Sequence, residues 1–205
     1  MSERYLLLVE GKDDEHVFYH LLEHHRMPER FAIKNYEGIS KLVASLPVRL
    51  KASDLERLGI VVDANTSLDA RWQSLQDILI RAGYRNVLRS PQAEGTIIRY
   101  ENKPVVGIWL MPDNRLPGTL EDFCGFLVPP EDPLWDRAGQ CLEQIPEDER
   151  RFPPARRGKA LIHTWLAWQA EPGKPLGTAI TARYLDADAP HALQLMQWLR
   201  RLFDL

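Results

Sequence analysis

The sequence predicts an α/β protein, a parallel sheet flanked by helices and followed by a helical C-terminal third. Three observations carry this. Apolar runs at 4 to 10 and 58 to 63 have the form of strands buried on both faces. Each run ends in acidic residues and gives way to an apolar pattern of helical period, the alternation of βαβ units. Beyond residue 128 the strand-like runs stop, and Pro- and Gly-bearing links separate helical patterns.

Each element follows from its residues. "RYLLLVE" (4 to 10) is the first buried strand, and "DDEHVFYHLLEHH" (13 to 25) the first helix, with Val17, Phe18, Leu21 and Leu22 on one face. The acids of its first turn suit the positive end of the helix dipole. "FAIKNYEG" (31 to 38) reads as a second strand ending in a turn at Gly38, and "ISKLVASLPVRLK" (39 to 51) as a helix kinked or broken near Pro47. "LGIVVDANTSLDARWQSLQDILIRAGY" (58 to 84) repeats strand, acidic loop and amphipathic helix, with Gly83 as C-cap. Two strands joined by a turn at Glu101-Asn102-Lys103 follow in 95 to 113, then a helix start at 118 to 128 with Thr119 as N-cap. Further helices are expected over roughly 131 to 146, 153 to 170 and 188 to 204. This divides the chain into an α/β core at 1–128 and a helical extension at 129–205 packed on it.

Composition narrows the function classes. The 205 residues are 44% apolar and 27% charged, an ordinary globular make-up. A net charge of -3 gives no global footprint for nucleic acid, so contact with phosphate has to be local or mediated by metal. The two cysteines, Cys124 and Cys141, lack CxxC spacing. With neither a signal-peptide pattern nor a run of membrane-spanning length, the expectation is a cytoplasmic protein with reduced cysteines and no membrane contact. Nothing in the sequence specifies an oligomeric state.

Acids recur where strands end: Glu10; then Asp63 with Asn65 and Asp69; then Asp113 with Glu121 and Asp122. In a parallel sheet these ends share one edge, where ligands bind. Carboxylates crowded there repel one another unless a hard divalent cation with oxygen ligands, Mg2+ or Mn2+, holds them together. Acids at such positions also serve as helix caps and solvating groups.

Glu10-Gly11 after an apolar strand, Asp14 four positions on, and the later "IVVDAN" (60 to 65) resemble the Toprim domain over roughly residues 4 to 125. That domain is the catalytic module of primases, topoisomerases and OLD-type (overcoming lysogenization defect) nucleases. The resemblance implies a Toprim-like sheet and metal-dependent hydrolysis of phosphodiester bonds in DNA or RNA. It makes Glu10 the catalytic glutamate and Glu10, Asp14 and Asp63 metal ligands. Asn65 stands where the family's DxD has its second acid, leaving a neutral oxygen ligand, and Asp69 offers a carboxylate one helical turn later. Of the Toprim proteins, the stand-alone OLD-type branch looks nearest, since it adds acids and a tail lysine. Glu121 and Asp122 then resemble second-metal ligands, and Lys159 in "ARRGKALIHTW" the catalytic lysine. Glu121 reads also as a helix N-terminal charge, and Lys159 as part of a solvated helix face.

OLD-type relatives often work with an ABC-class ATPase, fused or encoded separately, and this sequence contains no GxxxxGK[ST]; the resemblance therefore implies a separate ATPase partner, and with it a defence or toxin role. "RRFPPARRGK" (150 to 159) supplies Arg150, Arg151, Arg156, Arg157 and Lys159, a cluster suited to nucleic-acid phosphates or to plain solvation. The alternative to a nuclease is a catalytically weakened Toprim-fold module that docks a protein partner. A phosphoacceptor built on Asp63 is a third reading, lacking a Thr/Lys pair. His16, His20, His24 and His25 lie along one helix at spacings that suit a metal, but without a HExxH pattern a surface helix is the expected reading. Trp165, Trp168 and Trp198 fall at helical spacing and read as core.

Overall fold

The protein is described as a computed structural model covering residues 4–205. Its first half alternates β1 (Tyr5–Val9), α1 (Lys12–His24), β2 (Ala32–Asn35), α2 (Ile39–Arg49), β3 (Arg57–Asp63) and α3 (Leu68–Arg81). Then come β4 (Thr96–Ile98), β5 (Val105–Met111), α4 (Leu120–Gly125), α5 (Pro133–Gln144), a 3-10 turn (Pro154–Arg156), α6 (Arg157–Ala167), α7 (Leu176–Thr181) and α8 (Pro190–Phe203). The five strands form one sheet in the order β2-β1-β3-β5-β4, parallel except for β4, which pairs antiparallel with β5. The carboxyl ends of β1, β3 and β5 therefore lie side by side.

Side chains alternate across the sheet as strand geometry requires, so each buried strand feeds two cores. Leu6, Leu8, Ile60, Val62, Ile108 and Leu110 join Leu42, Leu46, Trp72, Leu75 and Leu79 of α2 and α3 on one face. Leu7, Val9, Val61, Trp109 and Met111 join the other core, with residues of α1, α4, α6, α7 and α8. The C-terminal helices thus share a core with the sheet. α8 approaches closely because glycines face it. A Cβ on Gly107 would lie 2.5 Å from Leu202, one on Gly95 2.3 Å from Trp198, and one on Gly59 2.6 Å from Leu7 and 3.1 Å from Leu202. Gly59 and Gly107 are direct partners across β3 and β5, which makes a shallow trough for Leu202.

The structure departs from expectation locally. α2 continues through Pro47 as one helix rather than breaking there; only Val48 and Arg49 follow the proline, so a kink at that point has almost no helix beyond it to redirect. α7 starts at the end of a Pro- and Gly-bearing link between two expected helices, where the sequence pattern predicts no helix; Gly177 lets it sit against α1, where a Cβ would meet the His16 carbonyl at 2.9 Å. The last long helices are shorter than expected, and Pro154–Arg156 form a 3-10 turn ahead of α6. Trp165 and Trp198 are buried as read, whereas Trp168, at the end of α6, is 40% exposed. Cys124 is buried and Cys141 exposed, both free. Among the described residues no helix is long and apolar enough to cross a membrane.

Candidate metal centre

Glu10 follows the last residue of β1, and its Oε1 accepts a hydrogen bond from the Asp63 backbone N–H at the end of β3, 2.8 Å away. Asp63 Oδ1 in turn accepts the Leu120 N–H at 3.0 Å, binding the end of β3 to the first residue of α4. Backbone bonds from Ala64 to Met111 and from Asn65 to Gly118 close the same edge. Strand ends and helix starts are thus knitted through two carboxylates.

Asp14 sits in the first turn of α1, only 7% exposed. Its Oδ2 accepts the Gly11 N–H at 3.1 Å, half of a capping box, while its buried Oδ1 has no partner. A buried carboxylate oxygen left without a donor is costly, which favours either the protonated acid or a cation beside it.

Glu121, 9% exposed, is the second residue of α4. Its Oε1 accepts from Lys159 Nζ of α6 at 2.7 Å, and its Oε2 from the Thr119 hydroxyl at 2.8 Å. The tail lysine therefore reaches the acidic edge from a helix 38 residues further along the chain.

Electrostatics show how crowded the edge is. Burial, then the charges of Glu10, Asp14 and Glu121, pushes the Asp63 carboxyl up to about 8. Burial and the Glu10 charge push Asp14 up to about 7. Glu10 is raised by burial, with the Asp63 N–H and the Arg71 charge opposing. Glu121 moves the other way: burial acts upward, but hydrogen bonds from Lys159 and Thr119 outweigh it and hold the acid below its ordinary value. The Glu121 hydrogen bond raises Lys159 correspondingly, so the ammonium is secure.

The remaining candidates separate from this group. Asp122 is the acid of the α4 capping box: Oδ2 accepts the Thr119 N–H at 2.8 Å and lies 3.2 Å from the hydroxyl, whose one hydrogen it shares with Glu121. Its Oδ1 lies against Gly158, where a Cβ would approach to 2.0 Å. Asn65 is exposed with φ of 53°, and it is Ser67 that caps α3. Asp69 is exposed in the first turn of α3. Asp113 folds its own loop by accepting the Arg115 and Leu116 N–H groups at 3.0 and 2.8 Å. Of the basic cluster, Arg150 donates to the Ile145 and Glu143 carbonyls and Arg157 pairs with Glu143 at 2.9 Å, while Arg151 and Arg156 are exposed. Arg156 is near enough to oppose the charge on Lys159.

Two participants were not singled out in the sequence. Arg71, one turn into α3, donates to the Asp63 carbonyl at 2.8 Å and bears on Glu10; only its position eight residues after Asp63 hinted at this. Thr119 was recognised as a cap, but its hydroxyl also orients Glu121.

The donor set of carboxylate oxygens, the orphaned Asp14 Oδ1 and the two raised acids fit a hard divalent cation. The edge is open, however: among the described residues no three of these acids bring ligand atoms within 4.8 Å of one another.

No curated protein and no solved structure matches the chain. A family model described as a protein of unknown function (DUF3226) matches residues 4–204, and the chain accordingly belongs to that family.

Proposed function

We propose that the chain is a metal-dependent hydrolase of Toprim type, cleaving phosphodiester bonds of DNA or RNA in the cytoplasm. A defence or toxin role beside a separately encoded ABC-class ATPase accompanies this reading. The observation that carries it is the meeting of Glu10, Asp14, Asp63 and Glu121 on one edge with Lys159 of the helical third bonded to Glu121. Mg2+ or Mn2+ bound by these carboxylates would supply an activated water and neutralise phosphate charge. The protein's own contributions are distinct. The Asp63 N–H fixes the orientation of Glu10, and Arg71 braces the end of β3. Lys159 holds a positive charge beside the acids, where it favours the charge that grows on a phosphate during transfer. Arg151 and Arg156 remain exposed to meet the nucleic-acid backbone. Purified protein incubated with plasmid DNA or structured RNA and Mn2+ tests this; cleavage lost in Glu10→Gln supports it.

A second reading rests on the open arrangement of the acids and on the neutral, exposed Asn65. In it the fold persists as a docking module for a protein partner. Absence of cleavage with Mg2+ or Mn2+, with or without an ATPase partner, favours that reading.

A further inference from the structure

The other end of α1 carries a second cluster, chemically unlike the first. His24 Nε2 lies 3.1 Å from Asp188 Oδ2, and His25 Nδ1 lies 4.0 Å from Asp188 Oδ1. Two imidazoles and a carboxylate offer ligand atoms all within 4.8 Å of one another, the single such group among the described residues. The two rings stand edge-on at 4.9 Å between centroids, so their nitrogens approach Asp188 from different directions.

The orientation of His25 adds a separate argument. Its side chain is only 8% exposed, and its Nε2 lies 2.9 Å from the Ala187 carbonyl oxygen. A carbonyl only accepts, so Nε2 carries the hydrogen, and in the neutral ring Nδ1 is a bare lone pair. That lone pair faces a carboxylate oxygen at a distance too long for a hydrogen bond. A proton on Nδ1 would turn the contact into an ion pair, and a metal cation between the two electron-rich atoms would satisfy both. A backbone carbonyl that fixes the far nitrogen of an imidazole is also how proteins orient metal-ligating histidines.

We propose that His24 Nε2, His25 Nδ1 and the Asp188 carboxylate bind a borderline divalent transition ion, Zn2+ foremost, with solvent completing the coordination. Zn–N and Zn–O bonds of about 2.0–2.2 Å place neighbouring ligands roughly 3.3 Å apart in a tetrahedron. The 3.1 Å between His24 and Asp188 is close to that spacing, and the His25 arm needs a small inward movement. Imidazole nitrogens select such an ion over Mg2+, which prefers the all-oxygen edge at the far end of α1. Ten residues separate Asp14 from His24, about 15 Å along the helix, so the two ions would not share ligands. The cation also meets the negative end of the α1 dipole. Bound there, it would clamp the end of α1 to the turn that precedes α8. The inference is independent of the nuclease reading.

The test uses the full-length protein stripped with a chelator. Zn2+ should raise the melting temperature and be taken up at one equivalent in competition with a chromophoric chelator, and Co2+ should give visible ligand-field bands. His24→Gln with Asp188→Asn, both at exposed positions, should weaken uptake ~10-fold or more and abolish the bands while the circular dichroism stays native. Glu10→Gln with Asp63→Asn should leave Zn2+ uptake intact. No uptake by the wild type, full uptake by the His24/Asp188 variant, or loss of uptake in the Glu10/Asp63 variant would each overturn the proposal.

Discussion

Lys159 Nζ and Glu121 Oε1 lie 2.7 Å apart, joining the helical C-terminal third to the acidic edge of the sheet. Both belong to helices that pack on each other, α6 and α4, so the lysine is positioned by core contacts as well as by charge. Without its ammonium, Glu121 would lose its strongest stabilising partner and become one more crowded acid.

Lys159→Ala should therefore lower cleavage by roughly 100-fold, as loss of a single transition-state donor does elsewhere, while Mn2+ still raises the melting temperature. Lys159→Arg should retain part of the activity. Turnover measured beside thermal shift checks this, and full activity in Lys159→Ala would make the contact structural.

Metal and pH should act on stability together. Asp63 and Asp14 are raised in the folded protein from an ordinary 3.8 to about 8 and about 7. The folded state thus binds protons more tightly than the unfolded one. The contribution of these two groups to stability without metal is fullest below pH 4, falls as pH rises, and levels off above the folded values. Mn2+ competes with those protons, so the melting-temperature rise it produces should grow from pH 5 to pH 8. Glu10→Gln with Asp63→Asn should abolish the rise and flatten the metal-free decline. A metal effect independent of pH in the wild type would place the ion elsewhere.

Gly158 holds α6 against Asp122. A Cβ there would come within 2.0 Å of Oδ1 and 2.7 Å of Cγ, and the capping box restrains that side chain from moving aside. Gly158→Ala should destabilise the protein by about 1–3 kcal/mol in urea unfolding and displace Lys159. Gly139→Ala, in open space on α5, should be neutral or slightly stabilising. Equal behaviour of the two variants would show that α6 is free to shift.

Arg151→Ala with Arg156→Ala should raise the KM for nucleic acid and reduce the salt dependence of binding by about two counterions, with little change in kcat. Binding measured across a salt series checks this. An unchanged slope would assign both arginines to solvation.

The sequence by itself determined the elements that local pattern specifies. Continuous apolar runs marked β1 and β3 as strands buried on both faces, the turn at Glu101-Asn102-Lys103 marked β4 and β5 as a strand pair, and helical periodicity marked α1 and α3. The capping box at Thr119 was half legible in its threonine. It also marked Glu10 and Asp63 as acids at strand ends, because an acid after a buried run stands out against its neighbours, while Asp14 was singled out by the resemblance. Tertiary structure alone decided what these residues do. Asp122 and Glu121 are adjacent and chemically alike, yet one faces Lys159 and the other caps its own helix, a difference set by one step of helical rotation against α6. Arg71 meets Asp63 only because α3 folds back over the strand it follows. α7 forms from a Pro- and Gly-rich link because docking on α1 stabilises a helix too short to stand alone. His24 and His25 looked like a solvated helix face because their partner, Asp188, lies more than 160 residues away in the chain. Periodicity and spacing report only neighbours along the chain, whereas charge and coordination act through space. Which acids meet which cations was therefore fixed only when the helical third packed against the sheet.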